Sequence, residues 1–193
     1  MDPEAIDQLF KTLLHTSVTK TVHRDVYPAI SASNFKLHQS GKAILITGGS
    51  SGVGFSTARA FVRASASIVI IVARSSDALA TAVTSLEVEA KKAGTGTKII
   101  SKSLDVSDIS AVKKFWEDLE KDEISVDVYI ANAAKFTEPK PILELGADEV
   151  WSQMETNAKS PLYFVEKFYA QKGETEGKSY TYPSFTRSDN LKK

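Results

Sequence analysis

The apolar positions of the chain fall into short runs separated by longer segments in which apolar residues recur at helical spacing. Four short segments have the length and character of strands: Ala43–Ile46, Ser67–Ala73, Lys98–Leu104 and Val126–Ala131. The second of them, Ser-Ile-Val-Ile-Ile-Val-Ala, is mostly β-branched and has no polar interruption. An unbroken apolar strand is typical of a parallel sheet that is covered on both faces.

A segment with helical periodicity follows each of these strands. One begins at the glycines after the first strand, and the others are predicted over about 77–93, 109–119 and 148–169. Regular alternation of strand and helix predicts an α/β fold with a doubly wound parallel sheet and right-handed crossovers. The strand order expected for such a start is 3-2-1-4. We identify no fifth strand, so the sheet is expected to be incomplete, with the fourth strand unpaired on one side.

The last predicted helix contains an asparagine and a proline at helical spacing, Asn157 and Pro161. Proline has no N–H, so the carbonyl of Asn157, four residues earlier, loses its helical partner. We therefore expect a kink at this point of the helix.

Two flanking segments differ from the central region, 41–170. Residues 1–40 are predicted to be an N-terminal extension whose first 19 residues form a helix, with Pro3 at its start and one apolar stripe. This helix either packs on the domain or binds a partner or membrane surface. Residues 171–193 have no usable periodicity and are predicted to be a disordered tail.

Composition and charge exclude several classes of function. The 193 residues contain 24 Lys and Arg and 24 Asp and Glu, so a zero net charge favours neither nucleic acid nor an anionic membrane as partner. The chain has no cysteine, and its three histidines show no ligand spacing, so we expect no disulfide and no metal site. No apolar run is long enough to span a membrane, and the acidic N-terminus is unlike a signal peptide. A cytoplasmic location is expected.

A glycine-rich stretch joins the first strand to the first helix. It reads Thr-Gly-Gly-Ser-Ser-Gly-Val-Gly, with Gly48, Gly52 and Gly54 at fixed spacing. Glycines allow a tight turn and a close approach of backbone N–H groups to a phosphate, and the helix dipole favours an anion at the same place. The stretch therefore predicts a phosphate-binding turn.

Together with three other motifs, this stretch resembles the short-chain dehydrogenase/reductase family. The four motifs are Thr47-Gly48-x-x-x-Gly52-x-Gly54, Asp105 after the third strand, Ala131–Ala134 after the fourth, and Asn157 in the last helix. The resemblance implies a Rossmann sheet, a nicotinamide cofactor and hydride transfer between that cofactor and a small ketone or alcohol. It also implies that Asp105 contacts adenine and that Asn157, the candidate catalytic residue, supports a proton-relay water.

The candidate cofactor-binding residues lie where the predicted strands end. They are Thr47, Gly48, Ser50, Ser51, Gly52, Val53, Gly54, Arg74, Ser75, Asp105, Val106, Asn132, Ala133 and Ala134.

Charge at the end of the second strand predicts which cofactor is preferred. Arg74 stands where an acidic residue would hold a ribose 2′-hydroxyl, and a guanidinium pairs instead with a 2′-phosphate. Ser50 and Ser51 can add hydroxyl donors. NADP(H) is therefore favoured over NAD(H), unless Arg74 is simply a solvated strand end.

The chain also departs from the family pattern. Ala134 replaces a glycine beside the expected nicotinamide position, and the family's catalytic serine and Tyr-x-x-x-Lys are missing. The one such spacing, Tyr163 to Lys167, follows Asn157 too closely, and we interpret it as a decoy. Three hypotheses stay open: an NADP(H)-dependent oxidoreductase, a catalytically inactive nucleotide-binding module, and a C-terminally truncated, non-functional fragment. The exposed fourth strand is expected to require a homo-oligomer or another partner.

Overall fold

The computed structural model describes residues 25–172 and 177–181, together with the single helical positions Glu4 and Gln8. The chain divides into two units, 1–31 and 32–193. In the first unit the described part contains a 3-10 turn at Pro28–Ile30. Apart from Glu4 and Gln8, the helix predicted at the N-terminus lies outside the described residues.

The second unit is built on a five-stranded parallel sheet in the order β3-β2-β1-β4-β5. The strands are β1 Ala43–Thr47, β2 Ile68–Ala73, β3 Lys98–Ser103, β4 Val128–Ile130 and β5 Ser179–Thr181. The predicted α/β class and the order of the first four strands are confirmed.

Helices connect the strands, and local signals in the sequence fix their ends. They are α1 Gly52–Arg63, α2 Ser76–Ala93, α3 Ile109–Lys121, α4 Ile142–Leu145, α5 Ala147–Met154 and α6 Ser160–Ala170, and a short 3-10 turn, Phe35–Leu37, precedes β1. The side chains of Ser75 and Asp108 accept hydrogen bonds from the first turns of α2 and α3. Gly94, in the left-handed conformation, ends α2.

Apolar side chains pack on both faces of the sheet. Ile44, Ile46 and Ile71 point to one side, where α1 and α2 cover them, while Leu45 and Ile70 point to the other, where α3 and α6 lie. Successive strand residues therefore meet two different cores, and this explains why β1 and β2 are unbroken apolar runs.

The fifth strand corrects two expectations. Ser179 N donates to the carbonyl of Asp127 at 2.9 Å, Ala131 N donates to that of Thr181 at 3.1 Å, and the ring of Tyr180 stacks on Tyr129 at 5.5 Å. The prediction of an unpaired fourth strand is therefore wrong, and so is disorder at residues 179–181. Residues 173–176 and 182–193 of the predicted tail lie outside the described residues.

The helix predicted over about 148–169 is interrupted. A π-helical turn, Glu155–Lys159, separates α5 from α6, and Ser160 N donates to the carbonyl of Glu155, five residues earlier. Because Pro161 has no N–H to offer the preceding turn, a locally wider turn is a natural response to it. The predicted disturbance is thus present, as a π turn inside the helix.

Candidate active site

A cleft of about 470 Å³ opens at the carboxyl ends of β1 to β4. In an open parallel sheet this is the edge at which ligands bind, beside the point where the strand order reverses. Its lining combines the residues after these strands: Gly48, Ser50, Ser51, Val72, Ala73, Arg74, Ser75, Ala78, Leu104, Asp105, Val106, Asn132, Ala133, Ala134, Lys135 and Thr156.

The glycine loop brings the N-terminus of α1 to this cleft. Gly48 and Gly52 have positive φ angles of 67° and 55°, which side chains other than glycine rarely adopt. A Cβ at Gly54 would lie 2.2 Å from the carbonyl oxygen of Gly48, so only glycine allows the helix to approach β1 this closely. The side chain of Ser51 does not cap α1. The N–H groups of the first turn, which have no intrahelical acceptor, are therefore available to an anion.

A hydrogen-bond network ties the loop after β4 to the end of β1. The side-chain amide of Asn132 donates to the carbonyls of Thr47 and Gly48 at 3.0 and 3.1 Å. In return, Oγ1 of the buried Thr47 accepts from the backbone N–H groups of Asn132 and Ala133 at 3.1 and 3.2 Å. These bonds fix the relative position of two walls of the cleft.

Opposite charges meet at the ends of β2 and β3. Arg74 is exposed, and Ser103 Oγ donates to its backbone carbonyl at 2.8 Å. Burial raises the pKa of Asp105, but hydrogen bonds from the side chain and backbone of Ser107, together with the charge of Arg74, outweigh it and hold the pKa below its usual range. Both Ser107 bonds end on Oδ1 of Asp105. This end of the cleft therefore presents an ionised carboxylate beside a guanidinium.

Asn157 does not line the cleft itself but binds the loop after β4, which does. Its Oδ1 accepts from Lys135 N, and its Nδ2 donates to the carbonyl of Lys135, both at 2.8 Å. The amide thus pairs with one residue of the loop as a neighbouring strand would. The adjacent Thr156 lines the cleft. Asn157 therefore holds the wall formed by Ala133 and Ala134.

The structure brings most of the predicted cofactor residues to the cleft surface. The other four predicted residues do not line the cleft surface. Thr47 lies at the end of β1, and Gly52, Val53 and Gly54 form the first turn of α1. Sequence reasoning missed Lys135 and Thr156, although each stands beside a motif residue, and that adjacency was the available signal.

The pair Tyr163 and Lys167 does not line this cleft. Lys167 Nζ lies 5.2 Å from the ring centre of Tyr163, and Lys167 borders a different cavity, of about 460 Å³, with Trp116 and Gln171.

Comparison with known proteins now identifies the family. The family model described as short chain dehydrogenase matches residues 42–178. The chain belongs to the short-chain dehydrogenase family. Among curated relatives, the short chain dehydrogenase mpl6 of Monascus purpureus is 36% identical over 146 residues, which are 75% of this chain and 48% of that protein. The short-chain dehydrogenase RED3 of Pyricularia oryzae is 35% identical over 127 residues, 65% of this chain and 49% of that protein. This member of the family spans about half the length of the curated relatives it matches.

Solved structures support the same fold. An alcohol dehydrogenase from Thermococcus sibiricus, complexed with 5-hydroxy-NADP, is 29% identical, with a TM-score of 0.58 over 66% of this chain and 52% of that one. The L-sorbose reductase of Gluconobacter frateurii, complexed with NADPH and L-sorbose, is 27% identical, with a TM-score of 0.58 over 68% of this chain and 48% of that one.

The family implies a nicotinamide dinucleotide, and the residues of this cleft fit such a group. The uncapped N-terminus of α1 suits the pyrophosphate, and the space around Gly52 is open, since a Cβ there would meet no atom within 4 Å. In the part of the chain that the structure describes, no group of three His, Asp or Glu side chains is placed to hold a metal, and none of the helices combines the length and apolar character that a membrane span requires.

Proposed function

We propose that the cleft binds NADP(H) and forms the cofactor site of an oxidoreductase that acts on a ketone or alcohol. One observation carries the proposal: the N-terminus of α1, the guanidinium of Arg74 and the carboxylate of Asp105 border a single cleft at the carboxyl edge of the sheet. In the adenosine half of NADP(H), the N-terminus of α1 suits the pyrophosphate, Arg74 suits the 2′-phosphate and Asp105 suits the adenine amine.

Arg74 decides the preference for the phosphorylated cofactor. No salt bridge to Arg74 is found among the described residues, and the carboxylate of Asp105, on which its charge acts, accepts hydrogen bonds from Ser107. A 2′-phosphate can therefore accept a bidentate pair from the guanidinium, whereas a 2′-hydroxyl offers it no charge. Ser75, the N-cap residue of α2, places a hydroxyl and a second helix N-terminus beside the same position.

The residues of this chain would bind and orient the cofactor. When bound, the nicotinamide supplies the hydride or accepts it. Asn157 and Asn132 fix the loop after β4, which forms the wall of the cleft at its β4 end. We propose that Asn157 supports the water through which a proton is relayed, as the family resemblance implies.

Calorimetry with half-ligands tests the cofactor assignment. We expect 2′,5′-ADP to bind at least about ten times more tightly than 5′-AMP, because a charge-assisted pair contributes about 1.5–3 kcal/mol. The variant Arg74→Ala should abolish that difference and leave 5′-AMP binding unchanged. The matched control is Lys98→Ala, which removes one exposed positive charge at the opposite end of β3. Equal affinities of the unaltered protein for the two nucleotides would refute the NADP(H) preference.

A second function, a nucleotide-binding module without catalysis, is favoured by one observation. The described lining of the cleft contains no tyrosine, and Tyr163 and Lys167 lie outside it. Oxidation of NADPH, followed by its absorbance with a panel of ketones, separates the two functions. Binding without turnover supports the module, and turnover supports the enzyme.

A further inference from the structure

Lys135 lines the β4 end of the cleft, and its ammonium binds two side chains of α5. Its Nζ donates to Glu149 Oε2 at 3.0 Å and to Ser152 Oγ at 2.9 Å. Both partners belong to α5, whereas Lys135 belongs to the loop after β4. The side chain is 31% exposed and borders the cleft. The ammonium is therefore held in a defined place.

The hydrogen-bond inventory of this ammonium is incomplete. A lysine ammonium has three N–H donors, and two of them are used by Glu149 and Ser152. One donor remains for an acceptor supplied by a ligand. Because the charge is already partly balanced by Glu149, the group is suited to a neutral oxygen more than to a phosphate.

The order of the strands indicates which part of a dinucleotide meets this donor. The cleft runs from Asp105 after β3, past Arg74 after β2 and the glycine loop after β1, to Lys135 beyond β4. If Arg74 takes the 2′-phosphate and α1 takes the pyrophosphate, the remaining half must continue towards β4. That half is the nicotinamide riboside, which carries ribose hydroxyls and a carboxamide oxygen.

We propose that Lys135, positioned by Glu149 and Ser152, hydrogen-bonds an acceptor oxygen of the nicotinamide-riboside half of the cofactor. This inference rests on the proposed function. It assigns to the loop after β4 a direct contact with the ligand in addition to its role as a wall.

The test compares a whole cofactor with a half-cofactor. NADPH contains the nicotinamide riboside, and 2′,5′-ADP does not. We expect Lys135→Met to weaken NADPH binding about ten-fold and to leave 2′,5′-ADP binding within two-fold. Lys135→Arg keeps the charge and the pair with Glu149, and should stay within about three-fold of the unaltered protein for both ligands. The control Lys140→Met removes a nearby lysine that lies outside the cleft lining and should change neither affinity.

The binding of 2′,5′-ADP also reports whether each variant is folded. Glu149→Ala breaks the same tie between the loop and α5 but keeps the ammonium. An equal loss of NADPH affinity in Glu149→Ala and Lys135→Met would show that Lys135 only supports the loop, and would overturn the proposal. An unchanged affinity for NADPH would overturn it as well. If the unaltered protein binds 2′,5′-ADP but the variant shows either result, this inference alone fails. If the unaltered protein binds neither ligand, the proposed function fails with it.

Discussion

Gly54 is the closest point of packing between the glycine loop and the rest of the site. A Cβ at this position would lie 2.2 Å from Gly48 O and 2.5 Å from Asn132 Nδ2. Overpacking of this kind costs about 1–3 kcal/mol, and weakening of the two Asn132 amide bonds adds about 1 kcal/mol each. Alanine recovers up to about 1 kcal/mol through its helix propensity. We therefore expect Gly54→Ala to lower the free energy of unfolding by about 2–5 kcal/mol.

Urea unfolding followed by tryptophan fluorescence measures this loss, since Trp116 is buried in the core against α6. The control is Gly96→Ala, because a Cβ at Gly96 meets no atom within 4 Å and its φ is not in the left-handed region. We expect the control to change the free energy by less than about 0.5 kcal/mol. A similar small effect for Gly54→Ala would refute the close approach of α1 to β1.

Two further variants test the ion pairs and the loop anchor. Hydrogen bonds from Arg63 and Arg59 hold the pKa of Glu89 below its usual range, although burial opposes them; Glu89→Gln should therefore cost up to about 1 kcal/mol at neutral pH, as measured by urea unfolding. A lowered pKa stabilises the fold fully above the unfolded-state value, so the cost should begin to shrink as the pH falls below about 4.3 and should vanish only below the lowered folded-state pKa; a cost that does not shrink below about 4.3 would contradict the assignment. Asn157→Ala leaves the backbone N–H and carbonyl of Lys135 without their 2.8 Å partners, so we expect a loss of about 2 kcal/mol in the same assay; a loss below about 0.5 kcal/mol would show that the anchor is dispensable.

The parts of the fold that the sequence predicts are those set by local pattern. The apolar run of β2 identifies a strand covered on both faces, and the helical periodicity over about 77–93 places both ends of α2 within a residue. The sequence also predicts the glycine loop, because Gly48 is required by its positive φ angle and Gly54 by the short distance to its neighbours. In each case the physical requirement acts on residues close together in sequence.

The features that the sequence does not predict depend on distant partners. β5 has three residues, and its pairing with β4 depends on Asp127, about 50 positions earlier. The ammonium of Lys135 is held in place only because α5 supplies Glu149 and Ser152. A pattern within either segment contains no information about these contacts.

The same difference in range divides the cleft into two halves. At the adenosine end, Ser75 and Asp105 are held by bonds to residues two or three positions away, as in Asp105 to Ser107 and Ser75 to Ala78. At the other end, the loop after β4 is held by Thr47, 85 positions from Asn132, and by Asn157, 22 positions from Lys135. The half of the cleft that we propose for the nicotinamide therefore depends on the packing of the helix that contains the π turn, whereas the half that we propose for the adenosine does not. A change in that helix should weaken NADPH more than 2′,5′-ADP, even where it touches no ligand.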